Sequence, residues 1–347
     1  MKIANVMISR VNGGIEYMFL HYNTALSLSG NQIMSVIDRK CQLKPAIKTP
    51  YIEINFNKYN PLLIFKLYFA LKQFEPDIII VHQKKAIPLF KIVARLLGAK
   101  IVGVAHNPKI KRLEKCDAVI SITYNQKEKM IAKGLEQSKI FAVPNMVESP
   151  KNSILYQPFH QPIIIGTMGR FDPAKGFGDF IKALSVLKQN NIAFKALIGG
   201  KNNSTYNEEE ERIFQLVKDL DLQNEVEFCG WVSDKAKFFN SIDIFVFPSL
   251  EEAFGIVLLE AALAKKPIIS STADGPKEVF SNTNAAIMFE KGNTQMLAEK
   301  LQELIKKPDF ARKLADNAYN LVMEKYTINA GAKLLNSVLQ KIMENKK

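Results

Sequence analysis

Cysteine is scarce in this 347-residue sequence, and long hydrophobic runs are absent from it. Its three cysteines, Cys41, Cys116 and Cys229, lie far apart and form no CxxC pair. An odd, dispersed set of cysteines argues against a disulfide framework and a zinc site, and it indicates a reducing compartment. No apolar run approaches the roughly 20 residues that a membrane-spanning helix needs. Because residues 1–8 are typical of a strand rather than of a signal peptide, we expect a cytoplasmic protein.

Acidic residues are few in the first half of the chain, which makes the charge distribution informative. Residues 1–150 carry 22 Lys and Arg against 10 Asp and Glu, whereas the remainder carries 25 against 24. This excess fits a solvated basic surface, but it favours a first half that meets an anionic partner, either a membrane surface or a phosphorylated acceptor. We do not expect nucleic acid, because aromatic residues do not interleave with the basic ones and no zinc-finger, RNP-type or basic-zipper pattern occurs.

Short apolar segments alternate with helix-like segments in both halves of the sequence, which indicates parallel sheets covered on both faces. In the first half we predict strands at 2–9, 32–38, 77–82, 100–106, 118–123 and 139–144, and helices near 15–29, 61–74, 86–97 and 124–133. In the second half we predict strands at 162–169, 193–200, 225–230, 243–248 and 267–272, and helices near 176–190, 207–220, 255–264, 294–305, 308–324 and 327–344.

The pattern lapses at 145–162, a polar stretch with three prolines that we interpret as a linker. The predicted fold class is therefore α/β, with two doubly wound Rossmann-like domains at 1–150 and 151–325 and a final helix at 326–347. Ligands are expected where the carboxyl ends of the strands face the crevice between the domains.

The densest candidate site lies in PSLEEAFGIVLLEAALAKKPII, residues 248–269. A strand ends here, Glu252 follows in a loop, and a helix opens near Gly255 with N–H groups that can bind an anion. Glu260 lies about one and a half turns into that helix among apolar residues, where a carboxylate is costly unless it binds something. The same residues fit an alternative equally well, in which the segment contains only an exposed helix cap and a surface glutamate.

A second candidate site is cationic. In GTMGRFDPAKGFGDF, residues 166–180, Arg170 follows a predicted strand and Lys175 precedes a predicted helix. Two cations beside a helix N-terminus suit a diphosphate, although isolated loop cations more often face solvent. The segment is not a Walker A loop, because the GxxxxGK[ST] order is absent.

Two weaker candidates lie in the first half. The turn Gly13-Gly14 follows the first strand and is short enough for a ligand to approach the backbone, but it lacks the GxGxxG spacing of a dinucleotide fold. His106 is the one histidine of four that we expect to end a buried strand and face a ligand. A structural role for this lone histidine is an equal alternative.

Taken in order, these motifs resemble those of the GT-B fold retaining glycosyltransferases of family 4 over almost the full length of the chain. The residues that carry the resemblance are Gly13-Gly14-x-Glu16, His106, Pro144-Asn145, Gly169-Arg170, Lys175-Gly176, Gly230-Trp231-Val232 and the E-x7-E pair Glu252 and Glu260.

The resemblance implies a role for each residue. Arg170 and Lys175 would hold the donor diphosphate, Glu252 would contact hydroxyls of the transferred sugar, and Glu260 would bond the ribose. The glycine turn would approach the donor from the first domain, and the last helix would cross back to that domain. Catalytic roles are implied for Arg170, Lys175, Glu252 and His106, and donor binding for Gly13, Gly14, Asn145, Arg170, Lys175, Val232, Glu252, Phe254, Gly255, Ile256 and Glu260.

The resemblance implies no metal and no cofactor besides the nucleotide-sugar co-substrate, because cations can offset the charge that develops on the departing diphosphate. Asp219-Leu220-Asp221 has the letters of a metal-binding motif, but it falls at a predicted helix end and we interpret it as a cap and turn. No carboxylate is well placed for a covalent intermediate, so front-face attack by the acceptor is the working hypothesis. Departures from the family pattern at 146–148 and 271–278 leave the sugar preference open.

The apolar helix predicted at 61–74 is interrupted by Lys66 and Lys72, and the one at 88–100 has Lys91 and Arg95 in a similar setting. Packing in the core is the favoured interpretation. The alternative is a lipid interface, which the basic loop at 109–115 would support.

Together these features predict a metal-independent, retaining transfer of a hexose, preferably from a UDP-sugar, to a surface glycan or glycolipid such as a lipopolysaccharide or capsule precursor. The alternatives are transfer from GDP-mannose, a non-hydrolysing sugar-nucleotide 2-epimerase, and a non-catalytic nucleotide-sugar-binding protein of the same fold. The expected partners are a nucleotide sugar, a glycan or lipid-linked acceptor and, through the basic first domain, the anionic inner face of the cytoplasmic membrane.

Overall fold

The computed structural model describes residues 1–11, 13–57, 60–152, 154–201 and 207–344, and the chain divides into two α/β units. Unit 1 comprises Met1–Glu148 and Tyr326–Lys347, and unit 2 comprises Ser149–Lys325. The predicted first boundary lies two residues further along the chain than the observed one.

Unit 1 is built on a seven-stranded parallel sheet with the order β3-β2-β1-β4-β5-β6-β7. Its strands are β1 (Lys2–Met7), β2 (Gln32–Asp38), β3 (Tyr51–Ile54), β4 (Ile78–Val81), β5 (Lys100–Ala105), β6 (Ala118–Ser121) and β7 (Ile140–Ala142). Its first four α-helices are α1 (Gly14–Leu28), α2 (Leu62–Lys72), α3 (Ile87–Leu97) and α4 (Tyr124–Ala132). Strand β4 is buried along its whole length, as continuous apolar strands of a two-sided parallel sheet are.

Unit 2 is built on a six-stranded parallel sheet with the order β10-β9-β8-β11-β12-β13. Its strands are β8 (Ile163–Met168), β9 (Phe194–Gly199), β10 (Val226–Gly230), β11 (Ile244–Phe247), β12 (Ile268–Ser271) and β13 (Ile287–Phe289). Its helices are α5 (Phe177–Gln189), α6 (Asn207–Asp219), α7 (Lys235–Asn240), α8 (Ile256–Leu263), α9 (Asp274–Phe280), α10 (Thr294–Ile305) and α11 (Pro308–Lys325). The prediction of two doubly wound α/β units is thus confirmed.

The last helix, α12 (Ile328–Glu344), belongs to unit 1 and packs on α1. Gly331 allows this helix to lie against Met146, since a Cβ at Gly331 would overlap with the methionine side chain. Val147 forms a parallel bridge with Thr327. The prediction of a linker that begins at residue 145 is therefore wrong for its first residues, because their apolar side chains are buried under α12.

Four short elements were not predicted from the sequence: β3, β13, α7 and α9. Strands β3 and β13 have four and three residues and lie at the edges of their sheets, so they bury too few side chains to produce an apolar run. The helices α7 and α9 have six and seven residues, which is too short for a helical period to be read.

The helices α2 and α3 each have one buried and one exposed face. Leu63, Leu67 and Leu71 of α2 are buried, as core packing requires. Five apolar side chains of the two helices are instead 47–71% exposed, namely Leu62, Phe65, Phe69, Ile92 and Leu96. The expectation of core packing therefore holds for only one face of each helix. None of the helices in the described residues is long and apolar enough to cross a membrane.

The packing of α12 gives a matched pair of neighbouring leucines. Leu335 is fully buried and Leu334 is 38% exposed. We expect Leu335→Ala to lower the free energy of unfolding by about 2–5 kcal/mol, because it removes apolar contacts and leaves a cavity. Leu334→Ala should cost no more than about 0.5 kcal/mol. Urea unfolding of both variants measures the difference, and equal losses would show that α12 is not packed as described.

Candidate active site

In unit 2, the candidate residues lie where the chain changes direction across its sheet. From β8 the chain runs to β9 and β10 on one side, and it returns to β11 on the other side of β8. Ligands of open α/β sheets bind at the carboxyl ends of strands at such a switch point. Arg170 and Lys175 follow β8, and Glu252 follows β11, so the fold brings these predicted residues to the expected edge.

The loops after β8 and β11 are in direct backbone contact. The N–H groups of Leu250 and Glu251 both donate to the carbonyl oxygen of Ala174, at 2.8 and 3.2 Å. Gly176 has a left-handed φ of 67°, and a Cβ there would overlap with the carbonyl group of Pro248. Only glycine fits such a position without strain. This contact fixes where Lys175 lies relative to the loop after β11.

Lys175 and Glu252 form an ion pair. Lys175 Nζ lies 2.6 Å from Glu252 Oε2, and their side chains are 18% and 17% exposed. The other carboxylate oxygen of Glu252, Oε1, accepts a hydrogen bond from the N–H of Ala253 at 3.1 Å. Such partial burial strengthens the attraction relative to a surface pair, yet it leaves the ammonium within reach of a ligand.

Arg170 is the more accessible cation of the predicted diphosphate site. Its side chain is 58% exposed, and the guanidinium lies 3.9 Å from Asp172 Oδ2. Asp172 is otherwise engaged with its own loop, where its side chain accepts from the N–H of Ala174 at 3.0 Å. The arrangement leaves much of the planar guanidinium open to a bidentate anion.

Glu260 of α8 has two unequal carboxylate oxygens. Oε1 lies 2.6 Å from Lys235 Nζ, whereas Oε2 is buried and has no hydrogen-bond partner among the described residues. A buried carboxylate oxygen without a donor is costly, and such atoms in native proteins require an explanation. Lys235 is the first residue of α7 and lies three residues after Val232, which is a predicted donor-binding residue. Lys235 was not predicted from the sequence, because a lysine outside an apolar segment is ordinarily solvent-exposed.

The start of α8 is shaped by close packing. Gly255 has a φ of 91°, and Ile256 begins the helix. Phe254 is buried, and a Cβ at Gly275 would overlap with its backbone. The N–H of Gly275 also donates to the carbonyl of Glu252 at 3.0 Å, so Gly275 contacts the loop from 252 to 255 at two of its residues. The predicted anion-binding N-terminus of α8 is thus a rigid element.

In unit 1, the glycine turn leads directly into α1. Gly14 is the first residue of this helix, and Gly13 is extended with a φ of −171°. Any residue can adopt this φ, so backbone conformation does not require a glycine here. The reason is lack of room, because a Cβ at Gly13 would lie 3.0 Å from Glu16 Oε2. Glu16 is buried in the first turn of the helix. Asn12 lies outside the described residues, and Asn145 is buried just after β7.

His106 has a histidine partner that sequence reasoning missed. Both His82 and His106 directly follow a buried strand, so placement at a strand end does not distinguish His106, and the expectation that it alone faces a ligand stays a prediction. His82 Nδ1 lies 3.4 Å from His106 Nε2. Burial lowers the pKa of His106 to about 4, with a further contribution from nearby Lys84. Burial also holds the pKa of His82 well below its usual range. The repeated pattern of an apolar run followed by histidine was the available signal.

Metal-binding groups are not evident in the described parts of either unit. Across residues 1–11, 13–57, 60–152, 154–201 and 207–344, no three His, Cys, Asp or Glu side chains are grouped as metal ligands would be. Asp219 is the last residue of α6 and Asp221 has a φ of 52°, so the Asp-Leu-Asp sequence forms a helix end and a turn, as interpreted from the sequence.

The contact of Gly176 with Pro248 can be tested against a glycine of similar backbone. Gly292 of unit 2 has a φ of 81°, and the nearest atom to a Cβ there is 3.9 Å away. Gly292→Ala should therefore cost only the left-handed penalty of about 1–2 kcal/mol. Gly176→Ala should cost about 1–3 kcal/mol more, because the methyl group meets a backbone carbonyl. Chemical unfolding compares the two variants, and equal costs would contradict the close contact.

Two family models match the chain. The model described as Glycosyl transferases group 1 matches residues 154–321, and the model described as Glycosyltransferase Family 4 matches residues 13–149. Together they span nearly all of unit 2 and most of unit 1.

Relatives with names in polysaccharide biosynthesis share low but extended similarity. The lipopolysaccharide core biosynthesis glycosyltransferase LpsE of Rhizobium meliloti (strain 1021) is 22% identical over 95% of this chain and 96% of its own. The capsular polysaccharide biosynthesis glycosyltransferase CapM of Staphylococcus aureus is 26% identical over 60% of this chain and 57% of its own. Among solved structures, Anabaena Alr3699/HepE in complex with UDP and glucose has a TM-score of 0.83 at 18% identity, covering 98% of this chain and 99% of its own.

The two parallel sheets and the two family matches indicate the same kind of protein. The chain belongs to the GT-B glycosyltransferases of family 4 and is a hexosyltransferase.

Proposed function

We propose that the chain transfers a hexose from a UDP-sugar to a surface glycan or glycolipid acceptor, with retention of anomeric configuration and without a metal. The observation that carries this proposal is the placement of Arg170, Lys175 and Glu252 on two loops held together at the switch point of unit 2. Two cations and a carboxylate in this arrangement match the needs of a departing diphosphate attached to a hydroxyl-rich ring.

Arg170 and Lys175 would act on the leaving group. As the bond between the anomeric carbon and the phosphate oxygen breaks, negative charge grows on the diphosphate, and cations already in place stabilise it. In front-face attack, the acceptor oxygen bonds to the anomeric carbon on the side that the leaving group vacates. The acceptor proton passes to the departing phosphate oxygen. These two cations supply the charge that a divalent metal supplies elsewhere.

Glu252 and Glu260 would hold the two sugars of the donor. When a phosphate takes over part of Lys175, Glu252 Oε2 becomes available to accept from hydroxyls of the transferred hexose. The unpartnered Oε2 of Glu260 would accept from ribose hydroxyls. Donor binding then supplies the hydrogen bond that this buried oxygen lacks.

The choice of UDP and of a surface glycan is supported by similar proteins. The structure of HepE is described with UDP and glucose, and LpsE and CapM carry names in lipopolysaccharide core and capsule biosynthesis. Thermal-shift titration with UDP-glucose, UDP-galactose, UDP-N-acetylglucosamine and GDP-mannose tests the donor, because a bound donor stabilises the folded state. A response to GDP-mannose alone would overturn the choice of UDP.

Arg170→Ala provides the clean test of the diphosphate site, because the side chain is mostly exposed and its loss should not affect folding. We expect UDP release from UDP-glucose in the presence of acceptor glycolipid extract to fall by about 100-fold or more. Lys175→Ala should have a similar effect but should also lower stability, since it leaves Glu252 half-buried and unpaired.

The matched control is Lys182→Ala, which removes an exposed lysine within α5, seven residues after Lys175. Its activity should stay within about twofold of the unchanged chain, since exposed residues away from the site contribute little. Full turnover in Arg170→Ala or Lys175→Ala would show that the diphosphate is bound elsewhere.

We also propose that unit 1 binds anionic membrane through an α2–α3 surface, defined by Leu62, Phe65, Phe69, Ile92 and Leu96. These side chains are at least 47% exposed on two helices that pack together. The basic residues Lys66, Lys72 and Arg95 are exposed on the same two helices. Apolar side chains with intervening cations are typical of a helix face that lies in a lipid headgroup region.

Vesicle flotation tests this surface. We expect binding to vesicles with anionic lipid, weak binding to neutral vesicles, and release as salt rises, since the charge attraction is screened. The double variant Phe65→Ser/Phe69→Ser should lose about tenfold or more of the binding. Phe310→Ser, which alters a phenylalanine of unit 2 that is 42% exposed, is the control and should bind normally. Equal binding to both vesicle types, or none at low salt, would refute the proposal.

A further inference from the structure

A buried chain of polar side chains runs through the core of unit 1 and ends at His106. It begins at Asn5 of β1, which is fully buried. Asn5 Nδ2 donates to the carbonyl oxygen of Phe19 at 3.3 Å and to Asn23 Oδ1 at 2.9 Å. A backbone carbonyl can only accept, so it fixes which way the Asn5 amide points. Asn5 Oδ1 must therefore face the other way, toward His82.

His82 is forced into one tautomer by this amide. Its Nε2 lies 3.0 Å from Asn5 Oδ1, which can only accept, so Nε2 carries the proton. Burial holds the pKa of His82 well below its usual range, so the ring is neutral at pH 7. A neutral imidazole has one proton, and Nδ1 of His82 is consequently an acceptor.

The proton position of His106 follows from that of His82. His82 Nδ1 faces His106 Nε2 at 3.4 Å, and the two ring planes differ by 22°. Since His82 Nδ1 can only accept, His106 Nε2 must donate. The His106 ring is neutral too, so its Nδ1 has a free lone pair. Within the part of the chain that the structure describes, His106 Nδ1 forms no hydrogen bond.

Lys84 holds the backbone that follows His106. Its ammonium donates to Asn107 Oδ1 at 2.6 Å and to the carbonyl oxygen of Lys109. The ring of His106 is thus fixed on one side by His82 and the segment after it by Lys84. This lysine also adds a positive charge that disfavours protonation of His106.

We propose that His82 is a positioning residue that, through Asn5, locks His106 with Nδ1 as a hydrogen-bond acceptor for a hydroxyl of the transferred hexose. The hexose contact rests on the function proposed above, whereas the tautomer does not. In this arrangement His106 binds a group that can donate, such as a sugar hydroxyl. It does not bind a carboxylate or a phosphate oxygen, because neither that group nor Nδ1 carries a proton to share.

Packing alone is the competing explanation for His82. The rings of Tyr22 and Phe19 lie edge-on to it, with centroids at 4.9 and 5.9 Å. A residue kept only for packing would have no influence on the proton positions of His106. The tautomer of His106 is therefore the property that separates the two explanations.

Nuclear magnetic resonance of the full chain with ¹⁵N-labelled histidine measures this directly, because ring nitrogens with and without a proton have well-separated shifts. Only four histidines are present, and a His106→Gln sample assigns the signals of His106. We expect His106 to be protonated at Nε2 and bare at Nδ1 at pH 7. The same state should persist to pH 5, because the pKa of His106 is lowered to about 4.

His82→Phe removes both ring nitrogens but keeps an aromatic ring of similar size against Tyr22. We expect His106 to populate both tautomers in this variant, and kcat/KM for UDP-glucose to fall at least tenfold, chiefly through KM. The matched control is Tyr22→Phe, which removes a buried hydroxyl that has no hydrogen-bond partner among the described residues. That variant touches the same ring and should change neither the tautomer nor kcat/KM.

The outcomes are separable. A proton on Nδ1 of His106 at pH 7 in the unchanged chain overturns the inference, and this needs no variant to fold. A mixed tautomer in His82→Phe with unchanged kcat/KM overturns the positioning role. If the unchanged chain turns over no nucleotide sugar, the proposed function fails and the hexose contact fails with it. The spectrum still decides the tautomer in that case.

Discussion

The ion pair of Lys175 and Glu252 is the interaction on which the candidate site of unit 2 depends, and backbone packing determines that it forms. Gly176 lies against the carbonyl of Pro248, and the carbonyl of Ala174 accepts two N–H groups from the loop after β11. These contacts place a lysine and a glutamate from separate loops 2.6 Å apart. A side chain at position 176 would push the loops apart and lengthen the pair. The absence of a Cβ at Gly176 therefore determines where Lys175 and Glu252 meet.

A half-buried pair of this kind has a specific consequence for ligand binding. Each charge lowers the cost of burying the other, so neither has to be fully hydrated while the site is empty. In the proposed function, a diphosphate would bring negative charge to Lys175 and compete with Glu252 for it, and the freed carboxylate oxygen would then need a donor. Hydroxyls of a bound sugar would provide such donors. Under the proposed function, the pair would therefore couple recognition of phosphate to recognition of sugar.

The sequence was sufficient for the parts of the site that depend on local order along the chain. Arg170, Lys175 and Glu252 were found because each lies next to the end of an apolar strand, and parallel strands bring such ends to one edge. Lys235 and His82 were missed because their roles come from contacts over 25 and 24 residues, with Glu260 and His106. The short elements β3, β13, α7 and α9 were missed because tertiary packing, rather than a periodic pattern of their own, stabilises them. The exposed faces of α2 and α3 correspond to the alternative interpretation of the sequence rather than the favoured one, since both helices carry apolar side chains on their buried and their exposed faces.

The two units hold polar groups in different ways, and the difference suits different tasks. In unit 1 the chain from Asn5 to His106 is neutral, and each donor faces a group that can only accept, so reversing one member would break its neighbours. Such a network has one arrangement.

In unit 2 the lysine ammonium has three equivalent donors and can share them between Glu252 and a phosphate without reorienting. A neutral network suits selection among groups on a sugar, because a wrong group leaves a buried lone pair unmatched. A charged pair suits a leaving group whose charge changes during the reaction. Under the proposed function, the fixed network of unit 1 would select among groups on the sugar, and the exchangeable ion pair of unit 2 would stabilise the leaving group.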